Sequence, residues 1–186
     1  MGNAQTRSKP RYEGLKVSRE EYLSLEDDGF KYDMIGGILH VSPSHSHEHG
    51  RTQTRFGHYL HSLLDQTELG EATVEVDLFL PDGGDKLRPD LSFVLKENLS
   101  IIQTHIHGNP DLICEVLSDS TAARDLGEKA DRYLNNGVKE YWIADPRDRS
   151  IQLWINRESF WEKRSGNVLA SELLPGFEVE TRRLYG

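Results

Sequence analysis

The sequence predicts a single α/β domain, a mixed β-sheet flanked by helices. Three observations lead there. Strand-like and helix-like segments are intermixed along the chain, and no repeat, low-complexity block or linker divides it. Two strand-like segments, residues 90–95 and 112–117, are apolar enough to lie in the centre of a sheet. At 186 residues the chain is also long enough to bury most of its apolar surface in one core. Residues 1–15 read as a flexible tail and residues 16–186 as the domain.

The elements follow in order. Ser18-Arg-Glu-Glu21 has capping-box spacing and starts a short helix to about residue 26. Residues 31–35 and 38–41, separated by Gly36-Gly37, predict a β-hairpin with a two-glycine turn. A helix over residues 48–66 carries Phe56, Leu60, Leu63 and Leu64 as its apolar stripe. Residues 73–80 alternate as one strand and Pro81-Asp-Gly-Gly84 closes it in a turn, so the Pro81-Asp82 dipeptide is turn chemistry. The two central strands are joined by a long polar connection, residues 96–110. Residues 121–136 predict a helix with Leu126, Ala130, Tyr133 and Leu134 facing inward and Gly137 as its stop. Strands over 139–144 and 151–155 meet across Asp145-Pro-Arg-Asp148, and residues 159–163 and 177–180 add edge strands.

Composition narrows the function classes. The chain is 36% hydrophobic and 28% charged, within the globular range. Its one cysteine, Cys114, excludes an intrachain disulfide framework and fits a reducing cytoplasm. No run of eighteen apolar residues predicts a membrane span. Residues 1–11 are basic but lack the apolar core of a signal peptide, and Met1-Gly2 followed by Thr6 is a loose match to an acylation motif. A net charge of -9 argues against a broad basic surface for nucleic acid. It leaves a metal-dependent nuclease open, because such a site needs acidic residues and its cation neutralises phosphate.

The chemistry concentrates between residues 90 and 129. Asp90 opens a strand after Arg88-Pro89, and Glu115 interrupts the apolar run Ile113-Cys114-Glu115-Val116-Leu117. A carboxylate inside such a strand is costly to bury unless it is paired or binds metal. On neighbouring strands the two carboxylates would converge on one cation, and hard oxygen ligands suit Mg²⁺ or Mn²⁺. Asp125 and Lys129 are four apart and share one helical face. A lysine there would orient water or stabilise charge developing on a phosphate. The plainer alternative is a buried polar pair plus a surface Asp–Lys ion pair.

Pro89-Asp90 followed by Glu115 resembles the PD-(D/E)XK nuclease superfamily, and more closely the Uma-type family of bacterial endonucleases. The resemblance rests on Tyr32-Asp-Met-Ile-Gly-Gly37, Val41-Ser-Pro43, Glu48-His-Gly-Arg51, Arg88-Pro-Asp-Leu-Ser-Phe-Val94 and Glu115-Val-Leu-Ser118. It continues through Asp125-Leu-Gly-Glu-Lys129, Tyr133 and Gly137-Val-Lys-Glu-Tyr-Trp-Ile-Ala-Asp145, so that it spans roughly residues 20–180 in order. It implies a restriction-endonuclease-like core, Asp90 and Glu115 as metal ligands with the Val116 carbonyl as a further one, and magnesium, with manganese as substitute, as cofactor. It also implies a nucleic-acid substrate, DNA first, and a homodimer. The superfamily pattern has lysine two positions after the glutamate, where this chain has Leu117. The resemblance displaces that lysine onto the following helix, as Lys129. Asp33 matches a position that is usually glutamate in the family, as an accessory acid or a structural aspartate beside the turn.

Other residues have competing readings. His45, His47 and His49, and again His105 and His107, alternate, but no cysteine or second ligand set gives a structural zinc spacing. His49 falls in the family-like segment at a helix start, as a cap or a group near the cleft. Asp125 is an accessory acid, and Arg51 and Arg88 are candidate phosphate contacts, since arginine forks match phosphate oxygens. Tyr141, Trp142 and Trp154 read as core aromatics. Beside the endonuclease stand two rivals: an inactive nuclease-like scaffold that binds nucleic acid or protein, and a hydrolase of RNA or a small phosphodiester.

Overall fold

The computed structural model describes residues 9–81 and 84–186. The acylation-like residues 1–8 and the Asp82 of the second Pro-Asp pair lie outside the described residues.

Helix α1 (Arg19–Ser24) starts at the expected capping box: Ser18 Oγ accepts from Glu21 N, and the Glu21 carboxylate accepts from Ser18 N. Strands β1 (Lys31–Ile35) and β2 (Ile38–Ser42) form the expected hairpin. Its two-residue turn needs positive φ at both centres, which Gly36 (59°) and Gly37 (77°) supply. The stretch before it packs against this hairpin: Gly14 N donates to Leu39 O at 2.8 Å and the Tyr12 ring meets Tyr32 edge-on. Helix α2 (His47–Leu64) is capped by Ser46 and buries Phe56 and Leu60.

The strand expected over residues 73–80 is two strands in two different sheets, β3 (Gly70–Val74) and β4 (Leu78–Phe79). The chain breaks at Glu75, whose φ of 51° is rare for a residue with a Cβ. Alternation cannot register such a break, because the polar–apolar pattern runs on across the bend. Strand β5 (Lys86–Leu87) was not expected, and neither was the content of the connection after β6 (Leu91–Leu95). That connection holds a 3₁₀ turn (Lys96–Ile101) and β7 (Ile106–His107). Strand β8 (Leu112–Val116) leads into a helix of three parts, α3 (Ala122–Arg124), a π segment (Asp125–Lys129) and α4 (Ala130–Asn135). The π segment shifts the helix phase, so Leu126, expected to face inward, is 39% exposed while Ala130 and Tyr133 are buried. Strands β9 (Glu140–Asp145), β10 (Ser150–Asn156) and β11 (Trp161–Ser165) follow, then β12 (Val168–Ala170), β13 (Glu178–Glu180) and α5 (Thr181–Tyr185).

The main sheet is mixed, in the order β11-β10-β9-β8-β6-β3, with β8 and β9 parallel and the other pairs antiparallel. A parallel pair needs a crossover, and the α3–α4 helix provides it. A five-stranded sheet, β2-β1-β5-β4-β7, and the β12–β13 ribbon complete the framework. Side chains alternate across the central strands. Leu112, Cys114 and Val116 join Phe56, Leu60 and Trp142 in the core beneath α2. Ile113 and Leu117 join Ala130, Tyr133, Tyr141 and Leu78 in a second core beneath α4 and the smaller sheet. Burial raises the Cys114 thiol well above its ordinary range, and the nearby Asp90 and Glu115 charges add to this, so the thiol is inert. Among the described residues no helix is long and apolar enough to cross a membrane.

Candidate active site

The central strands set the carboxylates side by side. The antiparallel register puts Leu91 against Cys114, so the next step along both strands puts Asp90 beside Glu115. Glu115 shares its face of β8 with Ile113 and Leu117, the face that the crossover helix covers. That helix brings Lys129 and Tyr133 over Glu115. Lys129 Nζ lies 3.0 Å from Glu115 Oε1, and the Tyr133 hydroxyl donates to the same oxygen at 2.9 Å. The π segment turns Asp125 and Lys129 inward together: Nζ is 3.0 Å from Asp125 Oδ1, and Tyr141 donates its hydroxyl to the Asp125 carbonyl at 3.0 Å. Asp33, in mid β1, approaches Nζ from the other sheet at 3.5 Å and accepts from Arg88 N at 2.9 Å. Lys129 is thus one buried ammonium among three buried carboxylates.

Burial pushes the Glu115 carboxyl well above the usual range; Lys129 opposes this, while Asp125 and Asp90 add to it. Lys129 behaves differently. Burial favours its neutral amine, but the charges of Asp33, Glu115 and Asp125 outweigh burial and hold the ammonium well above the ordinary lysine value. The Tyr133 hydroxyl is raised, first by burial and then by the Glu115 charge.

Asp90 is fixed by its surroundings. Its Oδ2 accepts from Val116 N at 2.7 Å and lies 3.1 Å from His49 Nε2, and its carbonyl accepts from Gln53 Nε2 at 2.9 Å. Asp90 Oδ1 has His45 Nδ1 at 4.0 Å, and Glu115 Oε2 meets Asp90 N at a long 3.4 Å. Each carboxylate therefore keeps an oxygen with uncommitted lone pairs, a hard donor set that fits a divalent cation. His45, His49 and Asp90 also bring one donor atom each within 4.8 Å of one another, a group able to hold a metal ion. Burial and the neighbouring His49 lower the basicity of His45.

These groups line one cleft of about 590 Å³. Of the residues singled out from sequence, Asp33, His49, Asp90, Glu115, Asp125 and Lys129 line it, as do Val116 and Arg88. Arg88 is committed through Nε to Asp77, which also pairs with the fully buried Lys86 at 2.8 Å. Arg51 is not among the lining residues, whereas Arg124, which the sequence reading passed over, is. Glu75 was missed as well, and His45 was weighed only as part of a zinc spacing and set aside. His45 stands four before His49, a spacing that would have raised the pair, but Ser46 caps the helix between them and hides the relation. Glu75 reaches the cleft only through its unusual backbone, which no sequence pattern announces.

A mixed sheet with its parallel pair bridged by a helix, and with helices against it, is here the restriction-endonuclease-like fold. The solved structure of a "putative nuclease belonging to DUF820" from Anabaena variabilis ATCC 29413 is similar to it with a TM-score of 0.77. The match covers 91% of this chain and 97% of that one at 16% identity, a level at which the likeness speaks for the fold. The chain belongs to the Uma2 family, whose profile, described as "Putative restriction endonuclease", matches residues 19–182. Membership in a family so described supports a nuclease function. No match was found among curated proteins.

Proposed function

We propose that this chain is a metal-dependent endonuclease that hydrolyses phosphodiester bonds, with DNA as its first substrate. The observation that carries the reading is the placement of Lys129 Nζ 3.0 Å from Glu115, with Asp90 at the adjoining strand position. In this reading Asp90 and Glu115, with the Val116 carbonyl, hold a divalent cation, Mg²⁺ or Mn²⁺. When bound, that cation supplies Lewis-acid charge neutralisation at the scissile phosphate.

The chain's own groups do the rest. Lys129 keeps its proton, because three carboxylates hold its ammonium charged. It therefore acts as a donor that positions water and stabilises charge on phosphate oxygens, not as a general base. Tyr133 fixes the Glu115 rotamer through Oε1, which leaves Oε2 turned toward Asp90. Asp33 and Asp125 anchor the ammonium from two sides. Arg124 stands at the cleft as a phosphate contact in place of Arg51. The cut of a duplex on both strands goes with a homodimer related by a two-fold axis.

The test is cleavage of plasmid DNA and of single-stranded RNA with Mg²⁺ or Mn²⁺, wild type against Asp90→Ala/Glu115→Ala. Nicking that requires the cation and vanishes in the double variant supports the reading. Cleavage that survives in the variant removes both carboxylates from the chemistry. A wild type that cleaves nothing but retains DNA in a gel shift is a binding scaffold.

A further inference from the structure

We infer that His45 and His49 join Asp90 as ligands of a first-row transition-metal ion, so that this cleft takes such an ion in preference to Mg²⁺. The inference rests on reading the cleft as a divalent-metal site, and it changes the ligand set and the ion.

The donor atoms are spaced for one ion. A first-row dication with ligands at about 2.0–2.2 Å sets neighbouring donors about 3 Å apart and opposite ones about 4 Å apart. His45 Nδ1 and His49 Nε2 are 2.9 Å apart; His49 Nε2 faces Asp90 Oδ2 at 3.1 Å and His45 Nδ1 faces the other oxygen, Oδ1, at 4.0 Å, and one donor atom from each residue lies within 4.8 Å of the others. The contact between the rings is poorly explained as a hydrogen bond. His45 Nδ1 stands almost equally far, 2.8 and 2.9 Å, from both ring nitrogens of His49, so it lies off the lone-pair axis of each. The ring centroids are 3.9 Å apart with the planes tilted by 53°. Two imidazoles brought this close beside a carboxylate are a nitrogen-rich set.

The site is also built. His49 is 3% exposed and sits in the first turn of an 18-residue helix whose cap, Ser46, accepts from His49 N and fixes its backbone. Asp90 is held by Val116 N, on a different element. His45 is the exposed member, on the loop before the cap, and closes the set from the cleft side. Imidazole nitrogen is a poor ligand for Mg²⁺ and a better one for first-row transition ions, of which Mn²⁺ binds nitrogen most weakly and so sets the strictest test. His47, one residue into the helix, is exposed and takes no part.

The experiment adds Mn²⁺ or Mg²⁺ to the full chain without nucleic acid. Calorimetry compares Mn²⁺ with Mg²⁺ for wild type, His45→Ala and His49→Ala, and pulsed EPR of the Mn²⁺-loaded protein looks for coupling to ¹⁴N. Loss of even an outer-shell partner costs about 10–100-fold in metal affinity, so loss of a direct ligand is expected to weaken Mn²⁺ at least that much. Mg²⁺ should bind more weakly than Mn²⁺ to wild type and change little in either variant. Nitrogen couplings should be present in wild type and reduced in His45→Ala, which folds without difficulty because its side chain is 38% exposed. Mn²⁺ bound without ¹⁴N coupling, and unaffected by His45→Ala, overturns the inference and leaves the carboxylate reading standing. Nitrogen-coupled Mn²⁺ in a protein that cleaves no nucleic acid keeps the inference and removes the nuclease reading. No Mn²⁺ binding at all removes both.

Discussion

Replacing Lys129 with methionine isolates the electrostatics of the cleft. Methionine preserves most of the volume and removes the ammonium, leaving Asp33, Glu115 and Asp125, each no more than 3% exposed, without their shared counter-charge. Removing one partner of a buried ion pair costs about 3–5 kcal/mol. At about 2–4 °C per kcal/mol for a domain of this size, the midpoint of thermal unfolding should fall by roughly 6–20 °C. The measurement is thermal and urea unfolding at pH 7 with a chelator present, so that no cation replaces the ammonium. The deficit should depend on pH. Glu115 already has a raised pKa, and a carboxyl raised in the folded state contributes stability below its unfolded value, about 4.3, that is lost as pH rises through the folded value. Without Lys129 that value rises further, so the deficit is greatest near neutrality and shrinks as pH falls toward 4. The double variant Lys129→Met/Glu115→Gln should recover part of the loss, with a coupling of about 0.5–3 kcal/mol. A loss below about 1 kcal/mol at pH 7, flat with pH, would refute the claim that Lys129 is the counter-charge that makes this acidic cluster tolerable.

Two further outcomes test the framework around the site. Burial alone would raise Asp77, but its bond to Arg88 and the charge of Lys86 outweigh burial and hold its carboxyl below the usual range. Its contribution is therefore present above its unfolded value, about 3.9, and is lost as pH falls through the folded one. Asp77→Asn should cost about 3–5 kcal/mol in urea unfolding at pH 7, because Lys86 is fully buried, and the gap to wild type should close below about pH 4. Leu126→Ser should change stability by no more than about 0.5 kcal/mol in the same assay, since the π segment turns this residue outward; a loss above about 2 kcal/mol would restore the regular helical phase.

Local chemistry was legible in the sequence. The capping box at Ser18, the Gly36-Gly37 turn, the stripe of α2 and the apolar runs of β6 and β8 are all encoded within a few residues of where they act. So was the oddity of Glu115, since a carboxylate in an apolar strand is costly wherever the strand lies. The family resemblance placed Asp90 and Lys129 beside it in expectation. Tertiary structure alone decided how these groups meet. The antiparallel register levels Asp90 with Glu115, and the crossover between β8 and β9 carries Lys129 over them.

Three features were settled only by the folded chain. Glu75 takes a positive φ because the chain must leave one sheet for another, and alternation runs unbroken through that point. The π segment adds a residue to a turn of helix so that Asp125 and Lys129 face the carboxylates and Leu126 does not; a periodicity of 3.6 assumes a phase that this turn, where the Asp125 carbonyl accepts from the Tyr141 hydroxyl, does not keep. His45 meets Asp90 across 45 positions of sequence, from a loop to the start of an interior strand. Sequence by itself determined most of the elements, the family and the main chemical types in the cleft, because those depend on neighbours along the chain. Register, helix phase and loop path depend on which surfaces can be buried together, and only the folded chain decides them.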